Sequence, residues 1–318
     1  MEAGIPVHFG KRTSSVITNR EDGLIEVVFT DGSSRLTQIL FAADGSKSKV
    51  RESVAGDSHK LTYTGVTCIM GTAEMARPQR GICFPSSLTT KCHACYFPTG
   101  ENEQCFQVHF PIPAEKADPG NWGTLDKRLG EDECHKLAER LRADGWDEKY
   151  LGPLENSKLA IKIGFCLLQP ALDRLSFGQE GRVVLVGDAA HPPVPYLGQG
   201  AQQGLEDAGV ISILLKSLCL DEKGNFDLRN FETAMKIYER MRIPRTAAIQ
   251  QHSTRWGETQ QKRADNPRYN LVKEELIRRD CFFHETMPMM FPGARYDYKD
   301  DVARMLSSET ISPTREEG

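Results

Sequence analysis

The sequence lacks any long apolar run. Its longest candidate, Val210 to Leu215, falls far short of the ~18 to 20 apolar residues that a membrane-crossing helix needs. It also lacks an excess of either charge: 40 Lys+Arg stand against 44 Asp+Glu, a net charge of −4 and a pI near 6.1. Nucleic-acid binding, which shows as a concentrated basic excess, is therefore not expected. The opening MEAGIPVHFGKR has none of the apolar character of a secretory signal, so an intracellular, cytoplasmic location is expected, with organelle targeting left open. Nine cysteines are too few for a disulfide scaffold of this length, and one CxxC, Cys92-His93-Ala94-Cys95, stands without a second CxxC or a paired-His motif. Reduced thiols are expected and no metal site, a zinc protein built on Cys92 and Cys95 being the weaker alternative.

What is present is the composition of a folded protein. The chain has 318 residues, 39% hydrophobic and 26% charged, enough apolar content for a core and length for roughly two domains of about 150 residues. Ser15 to Thr18, Leu24 to Thr30 and Arg35 to Ala43, separated by Asp22-Gly23 and Asp31-Gly32, predict a three-strand meander. Between residues 61 and 169 the apolar runs are short. Cys105 to Phe110 and Lys158 to Leu168 read as extended and Leu129 to Asp144 as an amphipathic helix, giving an α+β region with a substantial sheet. Val183 to Val186 then forms a continuous β-branched run, the mark of a strand buried on both faces. Gln202 to Leu218 predicts a buried helix. From Phe231 onward the chain reads as helical, with Pro244 expected to interrupt or kink it and a frayed polar tail after Leu306.

Two motifs carry chemistry. Gly187-Asp188-Ala189-Ala190-His191-Pro192-Pro193-Val194-Pro195-Tyr196-Leu197-Gly198-Gln199-Gly200 lies between the buried strand and the buried helix. It puts a carboxylate at the carboxyl end of a strand, where open α/β sheets bind ligands. It then stiffens the loop with prolines and delivers small residues to a helix N-terminus, whose partial positive charge suits a group that becomes anionic. Asp188 suits hydroxyls, as a hydrogen-bond acceptor. His191 is expected to stabilise the turn or stack rather than act as an acid or base. The second motif is Leu40-Phe41-Ala42-Ala43-Asp44-Gly45-Ser46-Lys47-Ser48-Lys49-Val50-Arg51, a strand followed by an Asp-Gly turn about 140 residues earlier.

Together these stretches resemble the GD and DG motifs of the class A flavoprotein monooxygenases, the para-hydroxybenzoate hydroxylase-like family. The resemblance implies FAD as cofactor, NAD(P)H as electron donor, and O2 with a small organic substrate, aromatic or isoprenoid-like, to be hydroxylated or epoxidised. Asp188 following Gly187 would hold the ribityl chain. Pro193 and Pro195 would flank the flavin ring, with Gly198, Gln199 and Gly200 at its pyrimidine edge. Asp44 and Gly45 would serve the pyrophosphate and help bind NAD(P)H, with Arg51 supporting them. No catalytic residue is assigned. Tyr238 to Arg245 is similar to a family helix with Tyr-Glu and spaced arginines, read either as a solvated face or as a direct contact. Phe84, Tyr96, Phe97 and Phe106 are candidate substrate-wall residues, plain core being the commoner use of such aromatics.

The family's opening βαβ unit with GxGxxG is not found in this sequence. The expected fold is therefore α/β combined with α+β: an incomplete FAD-binding, Rossmann-like domain of the GR2 type over 1–60 and 170–220, an inserted β-rich substrate domain over 61–169, and C-terminal helices over 221–318. A truncated or fragmentary chain of a monooxygenase is the expectation, with an inactive flavin-fold remnant serving as a binding module as the alternative. The oligomeric state is left open.

Overall fold

The computed structural model describes residues 4–56, 58–78, 81–87, 90–262 and 297–308. Its strands in chain order are β1 (Thr13–Ile17), β2 (Ile25–Phe29), β3 (Ser34–Thr37), β4 (Leu40–Ala42), β5 (Lys60–Glu74), β6 (His93–Gly100), β7 (Glu103–Pro111), β8 (Gly123–Thr124), β9 (Ser157–Gln169), β10 (Ser176–Phe177) and β11 (Val183–Leu185). The helices are α1 (Lys49–Ala55), α2 (Lys127–Ala143), α3 (Glu148–Glu155), α4 (Gly200–Leu218), α5 (Phe231–Lys262) and α6 (Tyr298–Ser308). The chain divides into two compact units, 1–61 with 168–252 and 293–318, and 62–167 with 253–292. The described residues after 220 thus do not form a body of their own: 221–252 and α6 belong to the first unit.

In the first unit β1, β2 and β3 form the expected antiparallel meander. The run Arg35 to Ala43, expected as one strand, is two. Thr37 Oγ1 donates to Ile39 O at 2.8 Å across the break, and β4 leaves the meander to pair with β11 in parallel, Leu40 opposite Val183 and Ala42 opposite Leu185. Antiparallel β10 completes that sheet in the order β10-β11-β4. Val183, Val184 and Leu185 are fully buried, which explains why the run has no polar alternation. They share one core with Val210, Ile211 and Leu214 of α4 and Phe231, Met235 and Tyr238 of α5. Positions 210, 211 and 214 are one helical face, as are 231, 235 and 238.

Pro244 does not interrupt α5, which runs unbroken from 231 to 262. The missing N–H of a proline weakens one turn, but Arg242 and Arg245 on either side are both ion-paired to Glu206 of α4, and Thr246 Oγ1 donates to Arg242 O at 2.8 Å. Of the tail expected to fray, 307–308 finish α6 and the rest lies outside the described residues.

The second unit is a five-stranded sheet in the order β6-β7-β5-β9-β8. One face carries Ile69, Ala94, Tyr96, Phe106 and Val108 against Leu137 and Leu141 of α2 and Leu151 and Leu154 of α3. Helix α2 starts where Asp126 accepts from Leu129 N at 3.0 Å, a side-chain N-cap. Tyr96 and Phe106 are 0% exposed, and Tyr96 OH donates to Tyr150 O at 2.9 Å. These two aromatics, considered as substrate walls, are core. Cys92 lies in the same core, whereas Cys95, three residues on along a strand of period two, points to the opposite face. Among the described residues no cluster of three or more His, Cys, Asp or Glu is placed to hold a metal ion, and no helix is long and apolar enough to cross a membrane.

Candidate functional site

The first unit brings the two motifs together at one end of its parallel strand pair. The β4–β11 pairing sets the chain leaving Ala42 beside the chain leaving Leu185, and Val186 N donates to Ala42 O at 3.0 Å. The Asp44 carboxylate caps α1, accepting from Lys49 N at 2.8 Å and Val50 N at 3.2 Å. Ser48 adds a second cap by accepting from Arg51 N at 2.9 Å. Gly45, at φ +81, makes the turn between them.

Arg51 is 2% exposed and reaches across to the other motif. Its Nη1 donates to Ala189 O at 2.8 Å and its Nη2 to Ser46 O at 2.6 Å, while Nε is buried with no partner among the described residues. Burial lowers the guanidinium pKa, with the charges of Asp44 and Glu52 opposing the shift. Arg51 thus fastens one motif loop to the other. Beside it lies a cavity of about 450 Å³ lined by Lys47, Lys49, Arg51, Glu52, His59 and Lys60, with cations in excess. A larger cavity of about 570 Å³, lined by Asp173, Lys236, Arg240 and Pro244 among others, includes none of the motif residues.

After β11 the chain turns at Gly187, at φ +59, where an L side chain would be strained. Asp188 follows, exposed to solvent. Its carboxylate takes no hydrogen bond among the described residues. Partial desolvation raises its pKa, with the charge of His191 opposing. The prolines carry the chain to a single 3-10 turn, Pro195–Leu197, closed by Gly198 in the left-handed region with its N–H on Pro195 O at 2.9 Å. Gln199 then leads into α4 with no side-chain cap and no acidic residue in the first turn. The helix therefore presents its first N–H groups without a cap from its own first-turn side chains. A Cβ at Gly200 would stand 3.8 Å from Asp188 Oδ1 and 3.8 Å from Pro193 Cγ. Acceptor carboxylate, proline ring and bare helix N-terminus thus surround one small recess.

A buried ionic cluster backs this loop, and sequence reasoning did not anticipate it. Asp207 is fully buried. Its Oδ2 accepts from Gly187 N at 2.8 Å and pairs with His191 Nε2 at 2.7 Å, and its Oδ1 accepts from Arg242 Nε at 2.6 Å. Arg242, also fully buried, donates to Glu206 Oε2 at 2.5 Å and to Gln203 Oε1 at 2.7 Å, and Arg245 Nη2 donates to Glu206 Oε1 at 2.6 Å. Desolvation would raise the Asp207 carboxyl, but the hydrogen bond from His191 and the charge of Arg242 outweigh it and hold it below the ordinary value. Glu206 is shifted down in the same way by Arg245 and Arg242. Two carboxylates matched by two guanidiniums is the arrangement under which burial of such charges is tolerated. Tyr238 OH donates to Leu185 O at 3.1 Å and Gln250 Nε2 to Pro192 O at 3.1 Å. Of the arginines in the Tyr238–Arg245 stretch, Arg242 and Arg245 are thus tied to the acidic pair on α4 behind the loop, while Arg240 is exposed and lines the larger cavity. His191 stabilises the turn.

No protein-family model matches the chain. It is 26% identical over 295 residues to the 6-hydroxynicotinate 3-monooxygenase of Bordetella bronchiseptica, covering 87% of this chain and 68% of that protein. It is 27% identical over 271 residues to the salicylate hydroxylase asL1 of Sarocladium schorii, covering 78% and 54%. The FAD-dependent monooxygenase phnB of Penicillium herquei is 30% identical over 268 residues, with 76% and 59% covered. The chain thus spans a little over half to about two thirds of the length of these curated relatives, all of them monooxygenases or hydroxylases. Among solved structures, Klebsiella pneumoniae HpxO complexed with FAD and uric acid matches with a TM-score of 0.68 at 22% identity, over 88% of this chain and 65% of that one. A salicylate hydroxylase substrate complex matches at 0.63 and 21%, over 92% and 70%. At these identities the likeness is one of fold: mixed helix and sheet.

Proposed function

We propose that the chain carries the flavin-binding half-sites of an FAD-dependent monooxygenase that hydroxylates a small aromatic substrate with NAD(P)H and O2. The relatives support the reaction class and the recess at Asp188 supports the cofactor. The observation that carries it is the free acceptor carboxylate of Asp188 beside the uncapped N-terminus of α4. A ligand with a polyol chain and a ring that gains negative charge is what such a pair accommodates.

In this reading the first unit is the Rossmann-like FAD-binding part and the second the substrate part. Asp188 accepts from ribityl hydroxyls. Gly198, Gln199 and Gly200 offer backbone N–H groups to the pyrimidine edge, with Pro193 and Pro195 against the ring. Gly187 gives the loop its turn. Asp44 and Gly45 shape the turn facing the pyrophosphate, and Arg51 ties that turn to the Asp188 loop beside a cationic cavity suited to phosphate. FAD held there would supply the redox chemistry, taking electrons from NAD(P)H and activating O2. The protein's part is orientation, a fixed electrostatic field from α4 and exclusion of water; no side chain is assigned as acid or base. An intracellular, cytoplasmic location goes with this reading.

The test is FAD binding by protein expressed from the whole gene, followed by flavin absorbance near ~450 nm and by fluorescence titration. Asp188→Ala should weaken FAD at least about tenfold, the size of one lost hydrogen bond to a charged acceptor. Gly200→Ala, whose Cβ meets only ordinary contacts at 3.8 Å, should leave the fold intact and also weaken FAD by occupying the recess. Unchanged affinity in both variants would remove the basis for the assignment. FAD binding without substrate-stimulated NAD(P)H oxidation would instead favour a flavin-binding module.

A further inference from the structure

The carboxylate of Asp207 is fully buried behind the Asp188 loop. Three donors converge on it: the amide of Gly187, the imidazole of His191 and the guanidinium of Arg242. The first two belong to the loop that carries Asp188. The third comes from α5, thirty-five residues further along the chain. Asp207 itself sits on α4, seven residues after Gly200, about 10 Å along the helix at 1.5 Å per residue. One rigid helix therefore carries both the N-terminus that borders the recess and the acceptor that fixes the turn before Asp188. A second contact sets the spacing: a Cβ on Gly187 would lie 3.5 Å from the Cα of Gly204, so strand end and helix touch backbone to backbone.

We propose that Asp207 is a positioning residue for the flavin site and that Arg242 sets it. Together they fix the separation between the Asp188 carboxylate and the α4 N-terminus. This rests on the flavin reading above. An ionised carboxylate is required because three donors need acceptor lone pairs on both oxygens. Asparagine in the same place has one acceptor oxygen and turns its amide group toward a donor. Arg242 is required for its fork: Nε meets Asp207, Nη1 meets Glu206 and Nη2 meets Gln203. A lysine restores the charge without that geometry.

The experiment compares Asp207→Asn, Arg242→Met and Arg242→Lys with Glu239→Gln. Glu239 lies on the same helix, and its Oε1 accepts from Leu175 N, Ser176 N and Ser176 Oγ, none of which belongs to the Asp188 loop. Neutralising it weakens three charge-assisted hydrogen bonds in the same unit without removing a partner of the Gly187 amide. Four quantities are read on each purified protein: the dissociation constant for FAD, the absorption band of bound flavin, the exchange rate of the Gly187 amide and the urea midpoint. Asp207→Asn and Arg242→Met are expected to raise the dissociation constant tenfold or more, to shift the flavin band and to speed Gly187 exchange tenfold or more. Arg242→Lys should recover little of this. Glu239→Gln should lower the urea midpoint while leaving the flavin band and Gly187 exchange as in the parent. If FAD affinity follows urea midpoint on one line through all four variants with the band unmoved, or if Arg242→Lys restores everything, the positioning role is wrong. If the parent itself binds no FAD, the flavin reading fails, and Gly187 exchange alone then decides whether Arg242 sets the turn.

Discussion

Gly187 and Gly204 touch, yet they are glycines for different reasons. Gly187 sits at φ +59, and a Cβ there would meet only the Cα of Gly204 at 3.5 Å: the constraint is conformational, not spatial. Gly204 is ordinary helix, and a Cβ on it would lie 3.7 Å from Gly187 Cα, normal contact. Gly187→Ala should therefore cost about 1–2 kcal/mol, whereas Gly204→Ala should be neutral or stabilising by up to about 1 kcal/mol through helix propensity. Urea unfolding of the two variants measures the difference, and the reverse order would mean that the turn is not built this way. At this scale the sequence was legible where the constraint is local. Asp188 and the small residues before α4 announce themselves by lying between a buried strand and a buried helix. Arg51 did not, because its partner Ala189 is 138 residues away and no local pattern distinguishes a buried tether from a ligand contact.

Helix α5 shows what an element adds. Its arginines, tyrosine and glutamate read in sequence as a polar helix with a proline through it. In the structure four of them face specific parts of the first unit: Tyr238 the end of β11, Glu239 the β10 strand, Arg242 and Arg245 the acidic pair on α4. The Tyr238 hydroxyl is the simplest of these to isolate. Tyr238→Phe keeps the ring in the core and removes the hydroxyl that donates to Leu185 O and lies beside Asp207, so it should cost about 1 kcal/mol or more, the net worth of one buried hydrogen bond. A calorimetric or urea midpoint equal to the parent would show that this carbonyl finds another donor. The β-branched run of β11 was legible because all three of its residues are fully buried. The break between β3 and β4 was not: it depends on a parallel partner 143 residues away in register, Val183 opposite Leu40, which the local sequence does not display.

On the scale of the whole molecule, the two units carry buried charge chemistry of opposite kinds. The first holds carboxylates below their ordinary pKa, buried Asp207 by His191 and Arg242 and part-buried Glu206 by Arg245 and Arg242. The stability this confers is present above the carboxylate range and is lost as pH falls through it. The second buries a histidine pair, His93 and His109, with ring centroids 4.6 Å apart on facing positions of β6 and β7. Burial pushes His93 down to about 4 from 6.5. His109 is lowered as well, by burial and by His93. A depressed histidine binds its proton more readily unfolded, so stability is full above 6.5 and declines as pH falls toward 4. The second unit should thus weaken in a window where the first does not. Trp122 and Trp146 lie in 62–167 and Trp256 in 253–292 on α5, whose residues 231–252 belong to the first unit, so emission of a Trp256→Phe variant reports the second unit. Its unfolding free energy in urea is expected to fall from about pH 6.5 to pH 4.5, at up to about 1.4 kcal/mol per pH unit for each histidine, and its midpoint with it. Peptide circular dichroism from the helices of the first unit should hold until lower pH. His93→Gln, which removes one titrating group, should flatten the slope. A midpoint independent of pH across that window, or a slope that His93→Gln leaves unchanged, would show that the pair is already protonated in the folded sheet or is open to water.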